Sequence, residues 1–188
     1  MHLPTRRNEA IIRRPAAGLI LNGTCVMMDE DRQGYSFVCD AMLGGLARWL
    51  RAAGYDAIWQ YGIDDRDLLD RARMSGRVLL SSDGPIFERK VVRSGEIPAI
   101  YIPQQLSTLQ QLRFVFNRLG LIRHTPRCMG CGGELIEVPK HSVCDETPPL
   151  AFRNCERFWR CGRCGRLLWR GTHWKRIEKR LEELDSTG

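Results

Sequence analysis

The sequence predicts an α/β domain, a parallel sheet with helices on both faces, followed by a small cysteine-bearing ribbon. Two observations predict it. Apolar runs of strand length alternate with segments of helical period between residues 35 and 122, the pattern of a parallel sheet joined by crossover helices. Beyond them, two Cys-x-x-Cys pairs stand near the end of the chain.

Each element can be read in order. Residues 1–34 lack periodicity and scatter Pro4, Pro15, Gly18, Gly23 and Gly34 among charges, so a loosely ordered leader is expected, with one short strand at 19–21. Ser36-Phe37-Val38-Cys39 reads as a buried strand ending at Asp40. Leu43, Leu46, Ala47 and Leu50 follow helical spacing, and Gly54 stands where that helix should stop. Ala57-Ile58-Trp59 is a second strand. Asp64 and Asp65 precede Leu68, Leu69 and Ala72, a capped helix start, and Gly76 ends that helix. Val78-Leu79-Leu80 is a third strand, leading into Ser81-Ser82-Asp83. A helix over 87–94 and a strand over 99–102 follow. Ser107 then caps a helix with Leu109, Leu112, Phe116 and Leu119 on one face, stopped by Gly120. The expected organisation is a leader (1–34), the α/β domain (35–122), the ribbon with its connector (123–178) and a charged helix end and tail (179–188). The last helix should begin near Lys175, with Ile177, Leu181 and Leu184 along one side.

Bulk properties narrow the partners. Net charge is +7, a balance that favours an acidic partner such as nucleic acid. No run of 18 apolar residues exists, so no membrane span is expected. Arg6, Arg7, Arg13 and Arg14 precede only a brief apolar patch with no cleavage signature, which argues against a secretory signal. Glu9 weakens an organelle transit reading. A cytoplasmic setting is the expectation, where cysteines stay reduced.

The cysteines then read as metal ligands. Cys-x-x-Cys on a tight turn supplies two thiolates from one knuckle, and Zn²⁺ takes four in a tetrahedron. Both knuckles carry turn glycines, in Cys128-Met129-Gly130-Cys131-Gly132-Gly133 and in Cys161-Gly162-Arg163-Cys164-Gly165. Cys128, Cys131, Cys161 and Cys164 are therefore the expected zinc ligands. Cys144 and Cys155 lack paired spacing, and Cys25 and Cys39 suit small apolar positions. Four thiolates leave no open coordination position, so this zinc is structural. The 29 residues between the knuckles hold Pro139, Pro148 and Pro149 and are expected to loop out between two hairpins. From Arg153 to Arg170 there are six arginines and one acid, Glu156, with Phe158, Trp159 and Trp169 interleaved. Such a surface can grip phosphates and stack bases; the aromatics could equally form the ribbon's core.

The acids carry the chemistry. Asp40, Asp64 with Asp65, and Asp83 each follow a strand, and the carboxyl ends of parallel strands share one edge where sites form. Clustered carboxylates suit Mg²⁺ or Mn²⁺, ions that support phosphodiester hydrolysis. Any of these acids could instead be a helix cap, Asp64 or Asp65 above all. Asp67 and Asp70 suit a solvated helix face. A haloacid-dehalogenase phosphatase would need Asp-x-Asp where Asp40-Ala41-Met42 stands. A receiver domain would need a lysine after a late strand, and none follows Ile102.

These residues resemble a known family. The block from Asp40 to Arg51 (Asp40-Ala41-Met42-Leu43-Gly44-Gly45-Leu46-Ala47-Arg48-Trp49-Leu50-Arg51), then Gly54-Tyr55-Asp56, Asp64-Asp65, Leu79-Leu80-Ser81-Ser82-Asp83, the knuckles, and Trp169-x-Gly171-Thr172-His173-Trp174 resemble the Mut-seven C-terminal ribonuclease family, over residues 36 to about 178. The resemblance implies a PIN-like nuclease domain fused to a zinc ribbon, an RNase that uses Mg²⁺ or Mn²⁺. It carries Asp40, Asp65 and Asp83 over as catalytic metal ligands; Asp65 stands seven residues before Ala72, as the middle acid does in PIN domains. Arg48 is placed to face phosphate, with Arg160, Arg163, Arg166 and Trp169 as ribbon contacts to RNA. Gly45 and Ser82 depart from the family pattern, which has basic residues there. His173 has no assigned role and reads as a hydrogen-bonded structural histidine. Two other readings stand beside the nuclease: a non-catalytic RNA- or ribosome-binding protein with a decayed site, and a toxin-type RNase with a neutralising partner.

Overall fold

The computed structural model describes residues 34–185. Apart from Gly34, the expected leader, its short strand and Cys25 lie outside them.

Four parallel strands form the main sheet: β1 (Ser36–Cys39), β2 (Asp56–Trp59), β3 (Val78–Ser81) and β4 (Ala99–Tyr101), in the order β2-β1-β3-β4. Side chains alternate across a strand, and the strands use both faces. Phe37, Cys39 and Leu80 enter one core with Leu46, Leu50, Tyr55, Leu112 and Phe116. Val38 and Leu79 enter the other with Leu68, Ala72, Ile86 and Phe87. Helix α1 (Gly44–Ala52) and helix α5 (Thr108–Leu119) cover the first face; α2 (Asp65–Ser75), α3 (Gly84–Glu88) and α4 (Lys90–Arg93) cover the second. Gln110 Oε1 accepts from the Ser107 amide at 2.8 Å at the start of α5.

The expected single helix over 87–94 is instead the pair α3 and α4. Arg89 between them takes an extended backbone, φ −62° and ψ 135°, which interrupts the helical hydrogen bonds.

The ribbon is a second sheet of three antiparallel strands, β5 (Leu135–Val138), β6 (Phe158–Cys161) and β7 (Leu167–Trp169). The segment between the knuckles does not simply loop out. It supplies β5, which pairs with β6 from Leu135↔Cys161 to Val138↔Phe158. It also supplies a 3-10 turn at Lys140–Val143 and the short helix α6 (Pro149–Asn154). These close a small core of Val143, Cys155 and Phe158, with Phe152 and Trp169 packed on it. Apolar side chains spaced through the segment can bury themselves only by folding back on β6, which is why its prolines do not leave it open.

Helix α7 (Thr172–Asp185) starts earlier than periodicity suggested and returns to the main domain. Ile177 and Leu181 sit in the same core as Leu46 and Leu50. Among the described residues, no helix is long and apolar enough to cross a membrane.

Candidate functional site: an acidic sheet edge and a thiol cluster

The strand order places a topological switch between β1 and β3, where neighbouring connections leave in opposite directions; in open α/β sheets ligands bind outside the carboxyl ends of the strands at such a point. Asp40 and Asp83 lie at that switch. The Asp40 amide continues the ladder, donating to the Leu80 carbonyl at 3.0 Å, and the Asp40 carbonyl accepts from the Leu43 amide at 2.9 Å. Its side chain stays at the edge yet only 8% of the residue is exposed. The Ser81 hydroxyl donates to Asp40 Oδ2 at 2.6 Å and accepts from the Asp83 amide at 2.9 Å. One hydroxyl therefore orients the first acid and fixes the backbone of the third. Asp83 flanks the N-terminus of α3 without capping it, so its carboxylate is not engaged by helix amides.

Asp64 and Asp65 have separate roles. Asp64 is the cap of α2 and accepts from the Asp67 amide at 2.9 Å. Asp65 is the first residue of that helix and is free of that duty. It faces Arg89, whose guanidinium lies 3.8 Å away. Asp67 and Asp70 are exposed on α2. Ser82 is 4% exposed, and its carbonyl accepts from Gln104 Nε2 at 3.0 Å. So Ser82, where the resemblance leads one to expect a basic group, is a buried residue, and Arg89 brings a cation to Asp65 from a different element.

The three carboxylates do not close into a tight group; among the described residues that distinction belongs to four cysteines. The donor set nevertheless suits a hard cation. It is all oxygen, and Asp40 has lone pairs left after its bond to Ser81. Mg²⁺ keeps part of its water shell, so it does not require every carboxylate in direct contact.

Cys128, Cys131, Cys161 and Cys164 offer sulfurs that all lie within 4.8 Å of one another. The Cys128–Cys164 and Cys131–Cys161 pairs are 3.8 and 3.4 Å apart. Four thiolates at about 2.3 Å from one Zn²⁺ would be about 3.8 Å apart along the tetrahedron's edges, so the cluster has the size of such a site. The knuckle backbone helps to hold negative sulfur: Gly133 N lies 3.4 Å from Cys131 Sγ and Cys164 N 3.5 Å from Cys161 Sγ. Burial pushes the Cys131 thiol up to about 12. Burial opposes ionisation of Cys161 too, but the Cys164 and Arg163 amides and the neighbouring thiols outweigh it and bring Cys161 down to about 6. Gly133 is required by this crowding, because a Cβ there would lie 2.7 Å from Cys161 Sγ. Cys144 is exposed, Cys155 is buried in the ribbon core and Cys39 in the main core, so none of them joins the cluster.

The candidate RNA contacts fall into two sets. Arg48 and Arg166 are exposed. Arg163 is exposed as well, although its Nη1 donates to the Cys131 carbonyl at 2.7 Å. Arg160 is held by Glu146 through two bonds of 3.0 and 2.7 Å. Trp169 lies against Phe158, ring centres 6.4 Å apart, as part of the ribbon core. His173 is exposed in the first turn of α7 rather than held inside.

Two residues escaped sequence reasoning. Arg51 is 3% exposed and donates to three carbonyls, those of Ala57 at 2.8 Å, Met129 at 3.0 Å and Gly130 at 2.8 Å. Its signal was present: it stands four residues after Ala47 and next to Leu50, on the apolar stripe of α1. Arg89 had no such signal, because its place depends on the break between α3 and α4.

The model of the Mut7-C RNAse domain matches residues 35–181. The human exonuclease mut-7 homolog is 33% identical over 104 residues, which cover 53% of this chain and 12% of that protein. No solved structure matches the chain.

Proposed function

The chain belongs to the Mut7-C RNAse domain family, and from that premise we propose that it is a divalent-metal-dependent ribonuclease acting at Asp40, Asp65 and Asp83. The observation that carries this reading is the Asp40–Ser81–Asp83 connection at the switch point of the sheet. A nearly buried carboxylate is costly unless it is paired or used, and Asp40 has one hydroxyl partner.

Asp40, Asp65 and Asp83 would hold the ion. When bound, Mg²⁺ or Mn²⁺ supplies Lewis acidity, lowering the pKa of the attacking water and offsetting charge on the leaving oxygen. The chain's own groups do the rest. Ser81 keeps Asp40 in one rotamer. Asp64, by capping α2, leaves Asp65 free. Arg89, 3.8 Å from Asp65, offers a positive group suited to a phosphate oxygen. Arg48, Arg163 and Arg166 extend the cationic surface for the RNA backbone, where phosphate contacts set affinity and register. Arg160 and Trp169 would contribute by bracing the ribbon, given their engagement with Glu146 and Phe158.

In the ribbon, zinc on the four cysteines would have no open position and would act structurally. Thiolate ligands of this kind suit a reducing cytoplasm.

The test is Asp40→Asn. It removes a ligand charge while keeping shape, and cleavage of an RNA oligonucleotide in Mg²⁺ or Mn²⁺ should fall by about 100-fold or more, as for loss of a group stabilising the transition state. Cleavage at the parent rate would end the proposal. A second reading has support in the buried Ser82 and the open spacing of the acids: an RNA-binding protein without catalysis. RNA binding in EDTA, together with no cleavage under any divalent ion, would favour it.

A further inference from the structure

We propose that Tyr61 and Met42 form a base-seating surface beside the acidic edge, on which an unpaired base of the RNA stacks. The inference deepens the nuclease reading and takes the same edge as the place where RNA lies.

Both side chains project from the loops that carry the acids. Met42 stands two residues after Asp40 and is 78% exposed; Tyr61 lies between β2 and Asp65 and is 86% exposed. Single exposed apolar side chains are ordinary on protein surfaces. Here three of them share one edge. Of the seven large hydrophobics exposed among the described residues, Met42, Tyr61 and Tyr101 are all at the carboxyl end of the main sheet. Tyr101 is the last residue of β4 and the register partner of Ser81.

The two loops are also joined. Trp59 Nε1 donates to the Ala41 carbonyl at 2.9 Å, linking the residue before Met42 to the residue two before Tyr61. The Trp59 ring occupies the space beside Gly44, where a Cβ would come within 2.6 Å of it. The 3-10 turn bearing Met42 is closed by the Leu43 amide on Asp40. Gln60, just before Tyr61, accepts from Arg71 at 2.6 Å, and Asp64 caps the helix that follows. Tyr61 is thus an exposed ring on a loop braced at both ends, which lowers the ordering cost of stacking a base on it.

Charge makes such a contact useful. The acids at this edge repel phosphates, and Gly45 and Ser82 remove two positive groups that the family pattern would supply. A base face on an aromatic ring adds affinity without charge and tolerates any sequence. Bases inside a duplex are stacked on one another and withhold that face, whereas unpaired bases present it.

The experiment uses the full chain with a fluorescein-labelled single-stranded oligoribonucleotide and the same strand in a duplex. Binding is read by anisotropy in EDTA, and cleavage by steady-state kinetics in Mn²⁺. Tyr61→Ala should weaken single-strand binding and raise KM by about tenfold or more, the usual effect of losing one stacked base, with kcat changed by no more than about twofold, as for lost uniform binding. Tyr61→Phe and Tyr61→Trp should restore parent values, and Met42→Ala should give a smaller loss. The parent should bind duplex more weakly than single strand. Parent-like single-strand binding by Tyr61→Ala, or equal affinity of the parent for duplex, overturns the proposal. The two readings fail separately: cleavage abolished by Asp40→Asn upholds the nuclease whatever Tyr61 does. Weaker binding by Tyr61→Ala, with no cleavage by the parent, upholds the base seat alone.

Discussion

A carboxylate that is 8% exposed has lost most of its water, and its hydrogen-bond partner then decides its orientation. For Asp40 that partner is Ser81, which also holds the Asp83 backbone. Burial acts more simply on two neighbours in the main core. It pushes the Cys39 thiol from 9.0 up to about 12, and the Tyr55 phenol from 10.0 up to about 12. Both groups hold their protons more tightly in the folded chain than in the unfolded one. Their contribution to stability is complete below about pH 9 and is lost as pH rises toward 12, since the unfolded state then binds fewer protons. Urea unfolding midpoints should therefore fall between pH 8 and pH 11. Cys39→Ala, which removes one of the two groups, should flatten that fall; an unchanged slope would contradict the assignment.

At the scale of elements, α1 connects the two sheets. Its first turn follows Asp40, its apolar stripe fills the main core, and its last turn carries Arg51 into the first knuckle. Burial lowers the pKa of the Arg51 guanidinium, and the neighbouring Cys39, Cys131, Asp56 and Cys128 work in the opposite direction. The Arg127 amide in turn donates to the Arg51 carbonyl at 2.9 Å. The guanidinium is planar and offers several fixed donors, so lysine cannot reproduce its fork. Arg51→Met keeps most of the volume but leaves the Met129 and Gly130 carbonyls without their donor. It should cost about 3 kcal/mol or more in urea unfolding, the scale of a broken buried polar network. It should also speed metal loss to a chelator. A variant as stable as the parent would show that the knuckle does not depend on α1.

For the whole molecule, α7 decides whether the ribbon is an appendage. It leaves β7 and buries Ile177 and Leu181 with Leu46 and Leu50, while Arg170 pairs with Glu178 at 3.7 Å across the junction. Metal binding to a thiolate cluster is folding energy for the module that contains it. Cys128→Ser with Cys131→Ser should therefore unfold the ribbon, weaken RNA binding and lower amide-exchange protection in α7 and in the facing part of α1. Full protection of α7 in that double variant would mean that the helix docks independently of the metal site.

The four strands of the main sheet with α1, α2 and α5, the acids at strand ends and the two knuckles were legible in the chain, because each depends on neighbours a few residues away. Period two and period 3.6 report which side of an element is buried, and Cys-x-x-Cys spacing reports a turn. The partners were not legible. Arg51 and Gly130 are 79 positions apart, and Ser81 and Asp40 are 41; only packing brings them together. The same holds for Arg89 beside Asp65, and for the segment between the knuckles, which looked open by its prolines and folds because β6 offers it an edge. Asp64 and Asp65 are adjacent and chemically identical, so the sequence alone treats them alike. The tertiary structure separates them, since the first turn of α2 leaves backbone amides that need one acceptor and Asp64 meets that need, leaving Asp65 to face Arg89.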